Sequence, residues 1–213
     1  MIVAIDGPSA SGKGTLAKRI AAHFGLPHLD TGTLYRAVAR DVLSRGLKLE
    51  DVWAGVSAAR LLDPRTLSDP ELRRRSAGEA ASVVAKIPEV RAALLKFQRD
   101  FAYQPRGAVL DGRDIGTVVA PDATIKIYVT AAPEERARRR YGELRAAGVD
   151  LSEADVLNDI VVRDKRDSER EIAPARPATD AVLLDTTRLD IDDAFRAAVE
   201  LIEAKTGLSG RSS

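Results

Sequence analysis

The chain has 213 residues, 45% hydrophobic and 31% charged, and its 33 Lys and Arg nearly balance 32 Asp and Glu. This composition is typical of a globular protein, and a net charge of +1 gives no overall field that would attract nucleic acid or a membrane surface. The absence of cysteine excludes a disulfide framework and thiolate chemistry. No apolar run reaches the roughly 18 residues of a membrane span, and the residues after Met1 lack a secretory-signal pattern, so we expect a cytoplasmic monomer.

The chain alternates between short apolar runs, which predict buried strands, and longer segments with apolar residues every three or four positions, which predict helices. The predicted strands are residues 2–5, 26–30, 108–110, 124–129 and 181–184, and the predicted helices are 13–24, 34–46, 133–145, 153–170 and 191–205. Strands that are apolar throughout and separated by helices indicate a parallel sheet covered on both faces. We therefore predict an α/β fold with three α/β/α layers around a five-stranded parallel sheet.

Residues 48–105 break this alternation because they contain helical patterns, over 71–86 and 90–101, but no convincing strand. We interpret them as a helical or mixed insert in a core formed by 1–47 and 106–213. The Gly- and Ser-rich ending, residues 207–213, predicts a frayed tail.

A glycine-rich segment connects the first predicted strand to the first predicted helix. Gly7 and the Gly12-Lys13 pair have the spacing of a P-loop. Glycines allow backbone N–H groups to close around phosphate oxygens, the following helix directs its positive end at them, and Lys13 adds a charge for the β- and γ-phosphates. The strand–loop–helix context favours this interpretation over a glycine-rich turn without function. The predicted phosphate-binding residues are Gly7, Pro8, Ser9, Ala10, Ser11, Gly12, Lys13, Gly14 and Thr15.

One position departs from the strict P-loop pattern, in which Ser or Thr follows the lysine and binds Mg²⁺. Here Gly14 follows Lys13, and Thr15 comes next. This Lys-Gly-Thr variant resembles that of nucleoside monophosphate kinases. It argues against Thr15 as a direct ligand, so the metal would be held mostly by phosphates and water, and we assign no protein ligand to it.

Several motifs together carry a more specific resemblance. They are Leu-Asp-Thr-Gly-Thr-Leu-Tyr-Arg at 29–36, Leu-Asp-Gly-Arg-Asp-Ile-Gly-Thr at 110–117 within the matching segment 110–123, and segments 5–15, 163–170 and 182–187. They resemble the bacterial type of cytidylate kinase over nearly the whole chain. The resemblance implies transfer of the γ-phosphoryl group of ATP to CMP or dCMP with Mg²⁺. It also implies that the insert 48–105 binds the nucleoside monophosphate and that a short lid covers about 146–175.

The resemblance also implies roles for individual residues. The implied CMP contacts are Thr31, Tyr35, Arg36, Ser82, Arg91, Arg113, Asp114, Arg163 and Asp167. Among them, Arg36 would contact the CMP phosphate and Asp114 would read cytosine, whose exocyclic amine a carboxylate can accept. The expected catalytic residues are Lys13, Asp111, Arg113, Arg166 and Arg170.

Residue chemistry alone leaves alternatives open at two motifs. Asp30-Thr31-Gly32 also occurs in aspartic proteases, although that chemistry needs two such carboxylates in a mostly β fold. Thr31 or Thr33 can instead cap a helix. Asp111 can orient a magnesium-bound water, or the segment 111–114 can be a turn with a structural Asp–Arg pair.

Other polar positions are equally open. Helical pattern alone would put Ser82 and Arg91 at the surface. One predicted helix face carries Arg163, Arg166, Asp167 and Arg170. This face is either solvated and paired with neighbouring acidic residues or part of a phosphate-binding lid. The arginine-rich run 136–140 stays unassigned, and neither His23 nor His28 has a visible partner.

The leading hypothesis is therefore an ATP-dependent kinase acting on CMP. Another nucleotide or small-metabolite kinase, for example one acting on AMP, UMP or shikimate, is the alternative among enzymes. A non-catalytic P-loop switch is the alternative from another class, against which the absence of an Asn-Lys-x-Asp guanine-reading motif argues. No nucleic-acid or membrane partner is expected.

Overall fold

The computed structural model describes residues 1–207, except for the side chain of Arg73. The frayed tail expected from the sequence lies outside these residues, apart from Gly207. Within the described part of the chain, no helix is both long and apolar enough to span a membrane.

Five parallel strands form one sheet in the order β2-β3-β1-β4-β5, with helices on both sides. The strands are β1 (Ile2–Asp6), β2 (His28–Asp30), β3 (Ala108–Gly112), β4 (Ile125–Thr130) and β5 (Val182–Asp185). The α-helices are α1 (Lys13–Phe24), α2 (Thr31–Ser44), α3 (Val52–Arg60), α4 (Arg75–Val84), α5 (Pro88–Ala102), α6 (Pro133–Ala146), α7 (Glu153–Ser168) and α8 (Ile191–Thr206). The predicted α/β/α fold with its parallel sheet is confirmed.

The central strand β1 positions the site. It pairs with β3 on one side and β4 on the other, and Asp6 is in register with Gly112. The loops that follow β1 and β3 therefore leave the sheet at the same edge, where open α/β sheets bind ligands. Side chains alternate along these strands, so the register Val3–Val109 and Ile5–Asp111 places these residues on one face.

Helix α1 packs on that face through residues four apart. Leu16 and Ile20 are fully buried against the apolar side chains of β1 and β4, a burial that contributes about 1.5–3 kcal/mol for each. Gly25 ends the helix in the left-handed conformation at φ 64°. Its N–H and that of Leu26 donate to the carbonyls of Ala22 and Ala21, which is a Schellman motif. The helix end predicted at Gly25 is confirmed.

The chain divides into two compact units. One comprises residues 1–29 and those from 104 onward, and the other comprises Asp30–Tyr103. The second unit consists of α2 to α5 and two 3-10 turns, 64–68 and 70–73. The helix predicted over 71–86 is wrong at its start, because the Asp69 carboxylate caps a separate turn at Glu71 and Arg74 is extended before α4. The predicted domain boundaries stay a prediction.

Candidate nucleotide site

The glycine-rich loop between β1 and α1 has a backbone that other residues could not adopt. A Cβ on Gly7, whose φ is 156°, would lie 2.1 Å from the carbonyl oxygen of Val129. Gly12 is left-handed at φ 82° and precedes the first residue of α1. Gly12 has no side chain to cap α1, so the backbone N–H groups of the first turn and the positive end of the helix dipole face the loop.

Lys13 closes this loop. Its side chain is buried, and Nζ donates to the carbonyl oxygen of Pro8 at 3.2 Å. The ammonium therefore lies over the loop that its own backbone helps to form. An anion in the loop would meet the helix end and this ammonium together.

Two side chains from other helices hold the loop at Ser9. Arg136 of α6 donates to the Ser9 carbonyl oxygen at 3.0 Å, and Asp164 of α7 accepts from the Ser9 N–H at 3.3 Å. Arg136 and Asp164 also pair with each other at 2.5 Å, and a cavity of about 360 Å³ lies beside them. Sequence analysis missed both residues. The available signal was the position of Arg136, which is in the first turn of a helix that begins soon after a buried strand.

The other arginines of the run 136–140 have different surroundings. Arg138 and Arg139 pair with Glu135, whose pKa they lower to about 2, and Arg140 pairs with Glu143. Arg139 also donates to the carbonyl oxygen of Thr186 at 2.6 Å. Within this run, Arg136 is the arginine that donates to the glycine-rich loop, at the Ser9 carbonyl oxygen.

Asp111 lies near the end of β3, on the face that α1 covers. Its Oδ2 is 3.7 Å from the position of a Cβ on Gly14, so the carboxylate lies beside the first turn of α1. Its Oδ1 is 2.7 Å from Nε2 of His28. The expectation that His28 has no partner is therefore wrong. His23 contacts the rings of Phe24 and Phe195 edge-on.

Asp6 faces the opposite side of the sheet, and the sequence pattern treated it only as a strand end. Its two carboxylate oxygens accept from the N–H groups of Ile115 and Gly116, each at 2.8 Å. These donors open the single π-helical turn Ile115–Val119 that follows Asp114. Burial raises the pKa of Asp6 to about 7 despite the two hydrogen bonds, and the nearby charge of Asp114 adds to the rise.

A second charged group forms around Asp167 of α7. Arg113, which follows β3, donates from Nε to Oδ2 of Asp167 at 2.9 Å, and Arg170 donates to Oδ1. Arg163 adds an ion pair at 3.9 Å. Burial by itself would raise the pKa of Asp167, but the three guanidinium groups outweigh burial and lower it below its ordinary value.

These contacts correct one sequence expectation. Helix α7 ends at Ser168, so Arg170 approaches Asp167 from the segment after the helix instead of sharing its face. Arg113 forms its ion pair with Asp167 of α7, and the alternative of a turn with a structural Asp–Arg pair stays open. Arg166 lies on α7 with a half-exposed side chain.

The second unit contains the remaining predicted CMP contacts. Thr31 and Tyr35 are buried on α2, and Arg36 donates to Asp30 at 3.3 Å. The N-cap of α2 is Asp30, so the expectation that Thr31 or Thr33 caps this helix is wrong.

Ser82 and Arg91 are buried, and the surface location that the helical pattern indicated is wrong. The Arg91 guanidinium lies 5.6 Å from the ring centroid of Tyr35 and donates to the carbonyl oxygen of Ala85 at 3.4 Å. A cation–π contact and a hydrogen bond to the end of α4 therefore accompany the burial of this charge. Within this unit the fold brings Tyr35 and Arg91 together.

The carboxylates of the site suit a Mg²⁺ ion that arrives with a nucleotide, and not a metal held by protein side chains alone. In residues 1–207, no group of three or more His, Asp or Glu side chains could hold a metal ion. Mg²⁺ typically uses one or two carboxylates and the phosphates of a substrate. Asp111 beside the first turn of α1 matches this requirement, whereas both oxygens of Asp6 already accept backbone hydrogen bonds.

A parallel α/β sheet with a lysine-closed P-loop at its C-terminal edge, and arginines beside that edge, defines the class of P-loop nucleotide kinases. The family model described as cytidylate kinase matches residues 3–204. The chain belongs to the cytidylate kinase family, whose activity is the phosphorylation of CMP by ATP.

Individual relatives agree with this assignment. The chain is 61% identical to a cytidylate kinase of Methylocella silvestris, covering 96% of this chain and 94% of the relative. It is 57% identical to a cytidylate kinase of Bradyrhizobium sp. strain ORS 278, covering 96% of each. A crystal structure of an uncharacterized protein from Eubacterium ventriosum has the same fold, with a TM-score of 0.58 at 16% identity, covering 96% of this chain and 99% of that one.

Proposed function

We propose that this chain transfers the γ-phosphoryl group of ATP to CMP or dCMP, giving ADP and CDP or dCDP. The observation that carries the proposal is the glycine-rich loop at the end of β1, over which Lys13 Nζ lies 3.2 Å from the Pro8 carbonyl oxygen. Family membership defines the acceptor as CMP. The extension to dCMP, the residue assignments and the metal belong to the proposal.

The donor triphosphate would bind the loop 7–15. Backbone N–H groups at the start of α1 and the Lys13 ammonium are the donors for the phosphate oxygens. The hydrogen bonds of Arg136 and Asp164 with the Ser9 backbone support a loop that is ordered before the nucleotide binds. An ordered loop avoids reorganisation when charge develops in the transition state.

The proposed acceptor contacts are those that the family resemblance implies: Thr31, Tyr35, Arg36, Ser82, Arg91, Arg113, Asp114, Arg163 and Asp167. The contact of Arg91 with Tyr35 supports this assignment, because it brings two of the proposed acceptor contacts together. Asp114 would accept from the cytosine amine and repel the keto oxygen that uracil carries there.

The chemistry requires no general base, because the attacking CMP phosphate oxygen is already ionised. Catalysis is then positioning and charge stabilisation. Lys13, Arg113, Arg166 and Arg170 would stabilise charge on the transferred group. Asp167 would hold Arg113 and Arg170 in place, as the hydrogen bonds between them support.

Mg²⁺ is the metal we propose, and when bound with ATP it neutralises phosphate charge. Asp111 would hold it, most simply through a water molecule, since its second oxygen already accepts from His28. We also propose that the protein is a cytoplasmic monomer. The insert 48–105 would bind the nucleoside monophosphate, and residues of about 146–175 would form the lid.

A coupled assay of ADP release tests the activity. Mg-ATP is supplied with CMP, dCMP, UMP or AMP in turn. We expect rapid ADP release with CMP and dCMP and slow release with UMP and AMP. ADP release at the same slow rate with and without any monophosphate would contradict a kinase and indicate a switch-type ATPase.

A further inference from the structure

His28 is a partly buried polar residue to which neither the sequence pattern nor the proposed chemistry gives a role. It opens the short edge strand β2, next to β3, which carries Asp111. Its Nε2 lies 2.7 Å from Oδ1 of Asp111, and the side chains are 15% and 4% exposed. A hydrogen bond this well shielded from water holds both groups more firmly than an exposed one.

The chemistry of the pair determines which group donates. An ionised carboxylate only accepts hydrogen bonds, so the imidazole must carry its proton on Nε2. Oδ1 of Asp111 then accepts a hydrogen bond from His28, which restrains rotation of the carboxylate. The other oxygen, Oδ2, lies on the side of Gly14, at the first turn of α1.

We infer that His28 is a positioning residue whose hydrogen bond orients Asp111, so that Oδ2 faces the start of α1 where a metal-bound donor phosphate would lie. The inference rests on the proposed function, because it concerns the donor side of that site. His28 itself would touch neither nucleotide. Its loss would remove a shielded hydrogen bond from Asp111 and weaken the hold on the orientation of the carboxylate.

Two substitutions separate orientation from bulk. His28→Gln keeps an N–H donor on a side chain of similar reach, whereas His28→Leu keeps an apolar volume and removes the donor. His23→Leu is the matched control, because it removes the other histidine of the chain, whose ring packs against Phe24 and Phe195. Circular dichroism and a thermal melt establish that each variant is folded.

Calorimetric binding of ADP with and without Mg²⁺ gives a readout that does not depend on turnover. We expect His28→Leu to weaken Mg-ADP binding roughly tenfold, as removal of a partner of a metal-holding side chain typically does, and to leave metal-free ADP binding unchanged. We expect kcat to fall by a similar factor with KM for CMP unchanged. His28→Gln and His23→Leu should remain close to the parent protein.

Other results would overturn the inference. Equal loss in His28→Leu and His28→Gln, or equal loss of metal-free and Mg-ADP binding, would indicate a purely structural role. In an Asp111→Asn background, His28→Leu should have no further effect, and an additive effect would contradict action through Asp111. If the leucine variant does not fold, ¹⁵N NMR of the parent protein decides, since a proton on Nδ1 instead of Nε2 is incompatible with the orientation.

These outcomes are distinguishable from failure of the proposed function. A parent protein that releases no ADP with CMP would reject the kinase assignment. The Mg-ADP binding comparison would still report on His28 and Asp111.

Discussion

Two regions of the first unit hold buried charge in opposite ways. At the end of β1, burial raises the pKa of Asp6 to about 7, although two backbone N–H groups donate to its carboxylate. At the arginine cluster, side chains dominate, and guanidinium groups lower the pKa of Asp167. The comparison teaches that at Asp6 two main-chain N–H groups only partly offset the effect of burial on the pKa, whereas at Asp167 guanidinium groups more than offset it.

The largest expected effect lies at the loop. Lys13→Ala removes the only side-chain charge that the loop itself contributes, and we expect turnover to fall by roughly 10²–10³ with the fold intact. The coupled ADP-release assay measures it. Lys18→Ala, at an exposed position of the same helix, is the control and should be near normal. A near-normal rate in Lys13→Ala would remove the loop from the catalytic site.

The next effect should appear at the arginine cluster. Asp167→Asn removes the buried carboxylate that pairs with Arg113 and Arg170, and breaking a buried pair in this way costs about 3–5 kcal/mol. Urea unfolding at neutral pH measures this loss in the free energy of unfolding. Glu169→Gln, whose side chain is exposed, should change stability by less than about 1 kcal/mol. Comparable stability of the two variants would show that the cluster is not a charge-paired core.

A substitution at Asp114 tests which residue recognises the base of the acceptor. We expect Asp114→Ala to lower the preference for CMP over UMP by about 1–3 kcal/mol in kcat/KM, because the proposed acceptor for the cytosine amine is lost. ATP affinity should be retained. The ratio of kcat/KM for the two substrates is the measurement, and an unchanged ratio would mean that the base is read elsewhere.

The smallest expected effect is a difference between Asp6 and Asp167 in how each makes the free energy of unfolding depend on pH. The pKa of Asp6 is raised in the folded state, so its stabilising contribution is present at low pH and is lost as pH rises through about 7. From pH 6 to pH 8 this amounts to about 1 kcal/mol of lost stability. Asp167 contributes nothing in this window, since its pKa is lowered and its stability is lost only under acid conditions.

Urea unfolding at pH 6 and pH 8 checks this difference. The parent protein should be less stable at pH 8 by that amount, and Asp6→Asn should lose the dependence because it cannot ionise. A parent protein with equal stability at both values, or an Asn variant with the same slope, would show that Asp6 is ionised throughout.

Much of the fold could be predicted because its signals are local. The bounds of α1 and its end at Gly25 depend on residues adjacent in the chain, as does the loop 7–15. The helix over 71–86 was mispredicted at its start because Asp69 caps a separate turn, a competition between side chain and backbone that periodicity does not register. Ser82 and Arg91 looked exposed because helical pattern reports apolar faces and not buried guanidinium groups.

The sequence by itself determined the strand–loop–helix segment and the family motifs, because glycine backbone freedom and a neighbouring lysine act within a few residues. Only the tertiary structure decided which polar side chains meet. Arg136 and Asp164 are 28 residues apart, Arg113 and Asp167 are 54 apart, and His28 and Asp111 are 83 apart. A hydrogen bond depends on distance in space, and that distance is set by strand order and helix packing, which no single segment of the chain encodes.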